Sequence, residues 1–310
     1  MQKVDLRFLV VRSLDLDRKT LLRARWIPLR RRFALVLKKY VLLIKHVFTP
    51  FRLGESHIYL GSSPLFYDSR VGTVAGYQAV LIEHMSWLGD LSTPSEPLVL
   101  DVGANIGYVT KAITERYADA RIIAFEPSVA STRVMLKNCL GSEIVTESAG
   151  APEVGQVHIL NVAVNSTGAP MVLDERSSES ALSRTREVGD EQGEEVPGKT
   201  LDEVTGAWIG DERVWLLKVD VEGNEIDVLR GAKKALSNVQ YLHIELNPDC
   251  WSMSDLFSLF MEYEVSAELI AIRNFDYPSD GSLRGGDALF SLSSTKQKSN
   301  RIPRDVNDDE

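Results

Sequence analysis

The chain has 310 residues, of which 44% are hydrophobic and 25% charged. That is the balance of a soluble globular protein with room for one large domain or a domain plus an appendage. A formal net charge of -9 and a sequence pI of about 5.2 argue against nucleic acid as the partner of the whole chain. The two cysteines, Cys139 and Cys250, show no CxxC spacing; they support neither a disulfide framework nor a thiolate zinc site, and read as two buried thiols in a reducing, cytoplasmic compartment.

Residues 1–52 break the acidic average, with fourteen Lys and Arg against three acids. Pro28 and Pro50 punctuate this basic extension, which reads as two helices. In the second, Phe33, Val36, Leu37, Tyr40, Val41, Ile44 and Phe48 fall on one apolar stripe. Such a stripe is expected to dock on its own protein or on a second copy as a homodimer; the alternative is a peripheral contact with a membrane or another anionic surface. Acids interrupt the first seventeen residues, so no secretory leader is expected, and Lys38, Lys39 and Lys45 keep "FALVLKKYVLLIKHVF" from reading as a membrane span. Residues 53–97 form a segment ahead of the main domain. It holds a hairpin in "HIYLGSSPLFYD", a helix in "GYQAVLIEHMSWLGDL" and the linker "STPSEP".

From Leu98 strands and helices alternate. "LVLD", "RIIAFEP", "QVHILNVAV", "RVWLLKVDVEG" and "VQYLHIELN" read as strands, interleaved with helices in "YVTKAITERYA", "VASTRVMLKNCL", "NEIDVLRGAKKAL" and "WSMSDLFSLFMEY". "APMVLDE" adds an antiparallel strand, and "AELIAIRNF" with "DALFSLS" an antiparallel hairpin at one edge. The alternation predicts an α/β domain over residues 98–295 with a doubly wound, mostly parallel sheet. The polar stretch 175–199 has few large apolar residues and reads as a lid or a disordered insertion. Residues 296–310 read as a disordered charged tail.

In such a sheet ligands bind beyond the carboxyl ends of the strands, and here those ends are rich in acids and amides: Asp101 with its Gly turn, Glu126, Asn161 to Asn165, Asp220 to Gly223, and Glu245 to Asn247. The turn "DVGANIG" is a poor phosphate loop. It has Asn105 where a dinucleotide fingerprint wants glycine, it lacks the Walker lysine, and Asp101 repels a pyrophosphate. An acid there suits a cationic ligand. Gly103 is expected to let the backbone approach that ligand, and Gly107 to let the following helix pack close to its strand. Glu126, closing the next strand, is placed to accept hydrogen bonds from the two hydroxyls of a ribose. In "KVDVEGNE", Asp220 and Glu222 share a face if the strand runs through both, Asn224 can cap the next helix, and Glu225 falls in that helix's first turn.

These pieces resemble the FkbM family of S-adenosylmethionine-dependent methyltransferases. The similarity runs through "VLDVGANIGYVT", "IIAFEPS", "ILNVAVNSTG", "GKTLDEV", "LLKVDVEGNEIDVLRGAKKAL" and "YLHIELNP", with "DALFSL" as the closing strand. It implies a Rossmann-like, seven-stranded sheet with an antiparallel closing strand and S-adenosyl-L-methionine as cofactor. By the same resemblance Asp101, Gly103, Asn105 and Gly107 line the amino-acid half of the cofactor, with Tyr108 packing nearby. Glu126 takes the ribose, Ala163 lies where the adenine edge is read through the backbone, and Asp220 sits beside the reaction centre.

The implied reaction is O-methylation of a hydroxyl on a small molecule or glycan: a sugar, a lipid or a secondary metabolite. Methyl transfer from a sulfonium needs alignment and the removal of one proton. The candidate bases are Asp220, Glu222 and Glu245, with Glu222 or Glu245 preferred and His243 weaker. No residue is assigned to a resident metal, although Asp220, Glu245 and Asn247 could serve a catechol-type, metal-assisted variant. A non-catalytic cofactor-binding module that docks through its basic N-terminus is the rival from another functional class.

Overall fold

The computed structural model describes residues 55–60, 63–68, 91–139, 141–146, 148–174, 184–187, 193–276 and 285–294. The helices expected in residues 1–52, nearly all of the helix expected over 76–91, and the tail 296–310 lie outside the described residues. The expected hairpin is present, with β1 (Glu55–Leu60) pairing antiparallel to β2 (Ser63–Asp68). No helix among the described residues is long and apolar enough to cross a membrane.

The remaining elements, in chain order, begin with β3 (Leu98–Val102), α1 (Tyr108–Arg116), β4 (Arg121–Phe125), α2 (Val129–Asn138), β5 (Ser142–Ile144) and β6 (Val157–Leu160). Five short strands follow, β7 (Ala163–Val164), β8 (Met171–Asp174), β9 (Arg184–Glu187), β10 (Glu194–Val196) and β11 (Gly198–Lys199). The last part holds α3 (Leu201–Trp208), β12 (Val214–Val219), α4 (Glu225–Arg230), α5 (Lys233–Asn238), β13 (Val239–Leu246), α6 (Met253–Glu262), β14 (Val265–Asp276) and β15 (Gly285–Ser294). Local signals set several boundaries: Ser128 caps α2, and Thr200–Glu203 and Ser252–Asp255 form capping boxes on α3 and α6.

The main sheet runs β14-β15-β13-β12-β3-β4-β6-β5, eight strands in all. The strands from β5 to β13 pair in parallel, while β15 is antiparallel to both its neighbours, β13 and β14. The expected seven strands are there, and the eighth is the three-residue edge strand β5. The closing hairpin is not simply added outside. β15 inserts next to β13 and leaves β14 as the edge, because hydrogen bonding to β13 pairs the last strand on both sides. From β3 the chain winds outward through β4 and β6; β12 then returns to the other side of β3. The switch point of the fold therefore lies between β3 and β12.

Strand periodicity divides the core into two layers. Leu98, Leu100, Val102, Phe125, Leu217, Val219 and Leu242 pack with residues of α3 to α6, such as Leu201, Val228, Leu236 and Leu256. Val99, Ile122, Ala124, Leu216 and Leu289 pack on the other face with Tyr108, Val109 and Ile113 of α1 and Val134 and Met135 of α2. Both faces are thus covered, so the central strands are apolar over most of their length, as parallel sheets require, with Asp101, Lys218 and His243 as the buried polar exceptions near their carboxyl ends. Burial of this kind contributes roughly 25 cal/mol per Å² of apolar surface.

Three readings need correction. "QVHILNVAV" is not one strand: β6 stops at Leu160, and β7 pairs instead with β11. "APMVLDE" joins no part of the main sheet; β8 is the centre of a separate antiparallel sheet, β10-β8-β9. The stretch 175–199 consequently contains β9, β10 and most of the β11 pairing, and Val196 is buried with Ala163, Met171 and Leu173; residues 175–183 and 188–192 lie outside the described residues. Finally, Cys139 is buried, and burial pushes its thiol up to about 12, whereas Cys250 is exposed.

Candidate active site

The acids converge at the switch point. Asp101 ends β3 on the face toward α1 and is 0% exposed, and Thr110 of α1 donates to its Oδ2 at 2.6 Å. Its Oδ1 lies 3.3 Å from Lys218 Nζ, held by charge rather than by a well-aligned hydrogen bond. Lys218, in β12, stands in register with Asp101 on one side and His243 of β13 on the other. Paired residues of neighbouring strands face the same way, so Asp101, Lys218 and His243 make one polar row across three strands. Glu245 lies two residues beyond His243, opposite Asp287 of β15, and His243 Nε2 is 3.7 Å from Asp287 Oδ1.

The turn after β3 is shaped by contacts within the protein. Gly103 has φ +76°, and a Cβ there would stand 1.8 Å from the carbonyl oxygen of Asp220. Glycine is required because the end of β12 passes against it, not only because a ligand approaches. Gly107 has φ +78°, and its Cβ would strike Met135 and Cys139. It therefore relieves packing against α2 rather than against the strand. Gly107 is also the N-cap of α1, which has no side-chain cap and no acid in its first turn.

Glu126 is nearly buried beside this turn. Its Oε2 accepts from the backbone N–H of Asn105 at 2.8 Å and its Oε1 from that of Ser128 at 2.8 Å. Asn105 is held at φ +51°, a conformation that non-glycine residues adopt at some cost. Burial pushes the Glu126 carboxyl up to about 7, against the pull of its two backbone N–H donors and of Lys218. Each oxygen retains acceptor capacity for a further donor.

Asp220 and Glu222 do meet, but by a different route from the one expected. The strand ends at Val219, and Glu222 turns back with φ +59°. Asp220, Glu222 and Glu245 then place one carboxylate oxygen each within 4.8 Å of one another. Three carboxylates so close cannot all ionise freely. Glu245 shows this most: burial, then the charges of Asp220, Glu222, Glu225 and Asp287, push its carboxyl up to about 11. One of its oxygens is buried without a hydrogen-bond partner. Tyr108 packs at the start of α1, and burial together with Asp220, Asp287, Asp101 and Glu245 drives its phenol well above the ordinary value.

The structure gives several side chains parts at this site that sequence reading did not assign them. Lys218 reads as an interruption of a strand, yet it is 1% exposed and surrounded by oxygens. Glu225 reads as a helix-dipole acid, yet it is fully buried: its Oε1 accepts from the N–H groups of Val221 and Gly223 and its Oε2 from Trp251 Nε1 at 2.7 Å. It takes the stabilising part expected of Asn224, which makes no side-chain cap bond. Ala163 does not join the acids; it packs among Met171, Leu173 and Val196, and its N–H is used by the carbonyl of Pro197. Asn161, two residues earlier, reaches the site instead, donating to the carbonyl of Glu126 at 3.0 Å and to Thr132. Its position just past an apolar strand was the available signal. Asn247 accepts from the N–H groups of Cys250 and Trp251 through its backbone carbonyl.

An acid-lined cradle at the switch point, with the buried Glu126 beside its turn, is followed by what comparison with known proteins finds. The model of the methyltransferase FkbM domain matches residues 101–267. The chain belongs to the FkbM methyltransferase family. Among curated relatives, the methyltransferase sdnD of Sordaria araneosa is 30% identical over 175 residues, covering 50% of this chain and 67% of that one. The AMB antimetabolite synthetase AmbE of Pseudomonas aeruginosa is 28% identical over 199 residues, covering 55% of this chain and 9% of that protein. Among solved structures, the methyltransferase FkbM of Methylobacillus flagellatus is 14% identical with a TM-score of 0.39, over 66% of this chain and 45% of that one.

As an FkbM domain, residues 101–267 are an S-adenosylmethionine-dependent methyltransferase domain. The residues present fit this cofactor. Its ammonium and sulfonium are cationic, and the cradle offers Asp101 and Asp220. Among the described residues the buried lysines are Lys111 and Lys218; Lys111 is engaged by Glu115 and the carbonyl of Asn138, and Lys218 by the two acids. Among the described residues the site thus sets several carboxylates against one buried lysine already held by two of them, a set that suits a cation better than a phosphate.

Proposed function

We propose that the protein transfers a methyl group from S-adenosylmethionine to a hydroxyl of a small-molecule or glycan acceptor, with Glu222 as the general base. The convergence of Asp220, Glu222 and Glu245 beside Asp101 and Glu126 is the observation that carries this reading. When bound, the cofactor supplies an electrophilic methyl on a sulfonium. Asp101, Asn105 and the uncapped start of α1 are the groups for its amino-acid half, and Glu126 for its ribose. Asp220, 3.3 Å from the Lys218 ammonium through its Oδ2, is the acid beside the reaction centre.

The proton has one natural destination. Burial and its acidic neighbours favour the protonated form of Glu245, so in this reading it donates a hydrogen bond and does not take the acceptor's proton. Glu222, partly exposed like the other two acids, takes that proton as the hydroxyl attacks. Such general-base catalysis contributes roughly 10²- to 10⁴-fold. Glu222→Gln should therefore lower kcat by about that factor with S-adenosylhomocysteine affinity little changed. Glu245→Gln reproduces the protonated acid and should stay within about tenfold of the parent. Radiolabelled methyl transfer to sugar, lipid and glycan extracts reads both variants. The opposite ranking reassigns the base to Glu245, and no transfer to any acceptor despite cofactor binding favours a non-catalytic module.

A second reading draws on the same cluster. Asp220, Glu222 and Glu245 offer three oxygen ligands, a hard donor set suited to a divalent cation such as Mg²⁺. In that case the ion, not a proton, neutralises the three acids and acidifies the acceptor hydroxyl. It is this trio, rather than the expected Asp220, Glu245 and Asn247, that supports it. Activity abolished by EDTA and restored by Mg²⁺ favours the metal; activity indifferent to EDTA favours Glu222 as base.

A further inference from the structure

Lys218 touches both Asp101 and Asp220 at the switch point and exchanges no proton in the reaction as drawn above. Its ammonium donates to the carbonyl of Gly103 at 2.7 Å and approaches that of Val102 at 3.4 Å. The same group lies 3.3 Å from Asp101 Oδ1 and 3.3 Å from Asp220 Oδ2. Two of these four oxygens open the turn that leads into α1, one ends β3, and one belongs to the reaction centre. Removing an ammonium from water costs several kcal/mol unless charge and hydrogen bonds offset it, and here three donors meet four acceptors. The side chain is 1% exposed, on a strand paired in register with Asp101 on one side and His243 on the other.

We propose that Lys218 is a positioning residue that sets the donor cradle and the reacting acid as one unit. By holding the Gly103 carbonyl it aims the turn from Gly103 to Gly107 at its ligand. By bridging Asp101 and Asp220 it draws Asp220 toward β3, so that Glu222 and Glu245 remain to face the acceptor. A change in the turn is thereby felt at Asp220, one strand away. The inference rests on the reading of this site as a methyl-donor cradle for its consequence in catalysis, but its structural content does not.

Lys218→Met keeps the stem and removes the charge; Lys218→Arg keeps the charge. Two readouts apply to the full chain: calorimetric binding of S-adenosylhomocysteine, and amide hydrogen exchange of residues 103–107 without ligand. Lys218→Met should weaken binding at least about 30-fold and lower kcat. It should also speed exchange in the turn at least about tenfold while leaving β4 and β6 protected, and Lys218→Arg should recover most of both. A folded Lys218→Met chain with unchanged turn protection overturns the proposal, whether or not the parent binds. Faster turn exchange in a chain whose parent does not bind S-adenosylhomocysteine sinks the donor reading and leaves the positioning role standing. If Lys218→Met does not fold, Lys218→Met with Asp101→Asn removes the matched charge and takes the same readouts; a double variant that also fails to fold makes Lys218 a residue of the whole fold and overturns the local role.

Discussion

Glu126 binds two backbone N–H groups and yet holds its proton up to about pH 7. The ordinary glutamate value near 4.5 belongs to the unfolded chain, so the folded state binds this proton more tightly. Its contribution to stability is present below pH ~4.5 and is lost as the pH rises through about 7, amounting to about 3 kcal/mol in all. Glu126→Gln should therefore gain on the parent by about that much between pH 5 and pH 8 in urea unfolding. Binding tells the same story from the ligand's side. Ribose hydroxyls donate best to the ionised carboxylate, so the affinity for S-adenosylhomocysteine should rise between pH 6 and pH 8 and release a proton, measurable as a heat that varies with the buffer. In Glu126→Gln both effects should disappear. At this scale the sequence was informative where chemistry is local: an acid closing a strand beside a glycine turn is legible, but the depth of its burial is not.

The segment between β12 and α4 is an element built on a strained turn. Glu222 at φ +59° and Gly223 at φ +109° carry the chain away from the sheet, and Glu225 holds that turn by accepting from Val221, Gly223 and Trp251. Left-handed backbone at a non-glycine residue costs of order 1 kcal/mol or more and persists only when its surroundings impose it. Glu225→Ala strips three donors of their acceptor, each at about 1–3 kcal/mol where it stays dry. It should lower stability by about 3 kcal/mol and kcat by at least about tenfold, read by thermal unfolding and by methyl transfer. Such ties are invisible to periodicity. The same blindness explains β6 and β7: "QVHILNVAV" is one apolar run, but its break at Asn161 is set by Glu126 and Thr132, and its continuation pairs with residues some thirty-five positions later. The hairpin β1–β2 was legible because its partners are neighbours in the chain.

Charge is distributed over the whole molecule in two opposed parts. Residues 1–52 are strongly basic and the remainder strongly acidic, so a contact with anionic lipid, if made, belongs to the first part. Basic side chains near an anionic surface contribute about 1 kcal/mol each and are screened over roughly a Debye length. Under the peripheral-contact alternative the full chain sediments with vesicles containing phosphatidylserine at low salt and is released by 0.5 M salt (roughly a 4 Å Debye length); under docking on its own protein or a second copy it sediments no more than with neutral vesicles. Sedimentation equal to that with neutral vesicles removes the membrane reading.

The sequence by itself determined the alternation of the main strands and helices, the parallel sheet that alternation implies, and the placing of acids at strand ends. These follow from the spacing of apolar side chains and from turn residues, which act between near neighbours. Only the tertiary structure decided which acids meet, that Glu222 reaches them by a turn instead of a strand, and that Lys218 and Glu225 hold them. It decided too that Ala163 stands apart while Asn161 takes part. Those outcomes depend on the order and register of β3, β12, β13 and β15 across the sheet, and on how little water reaches between them. No local pattern along the chain carries either quantity.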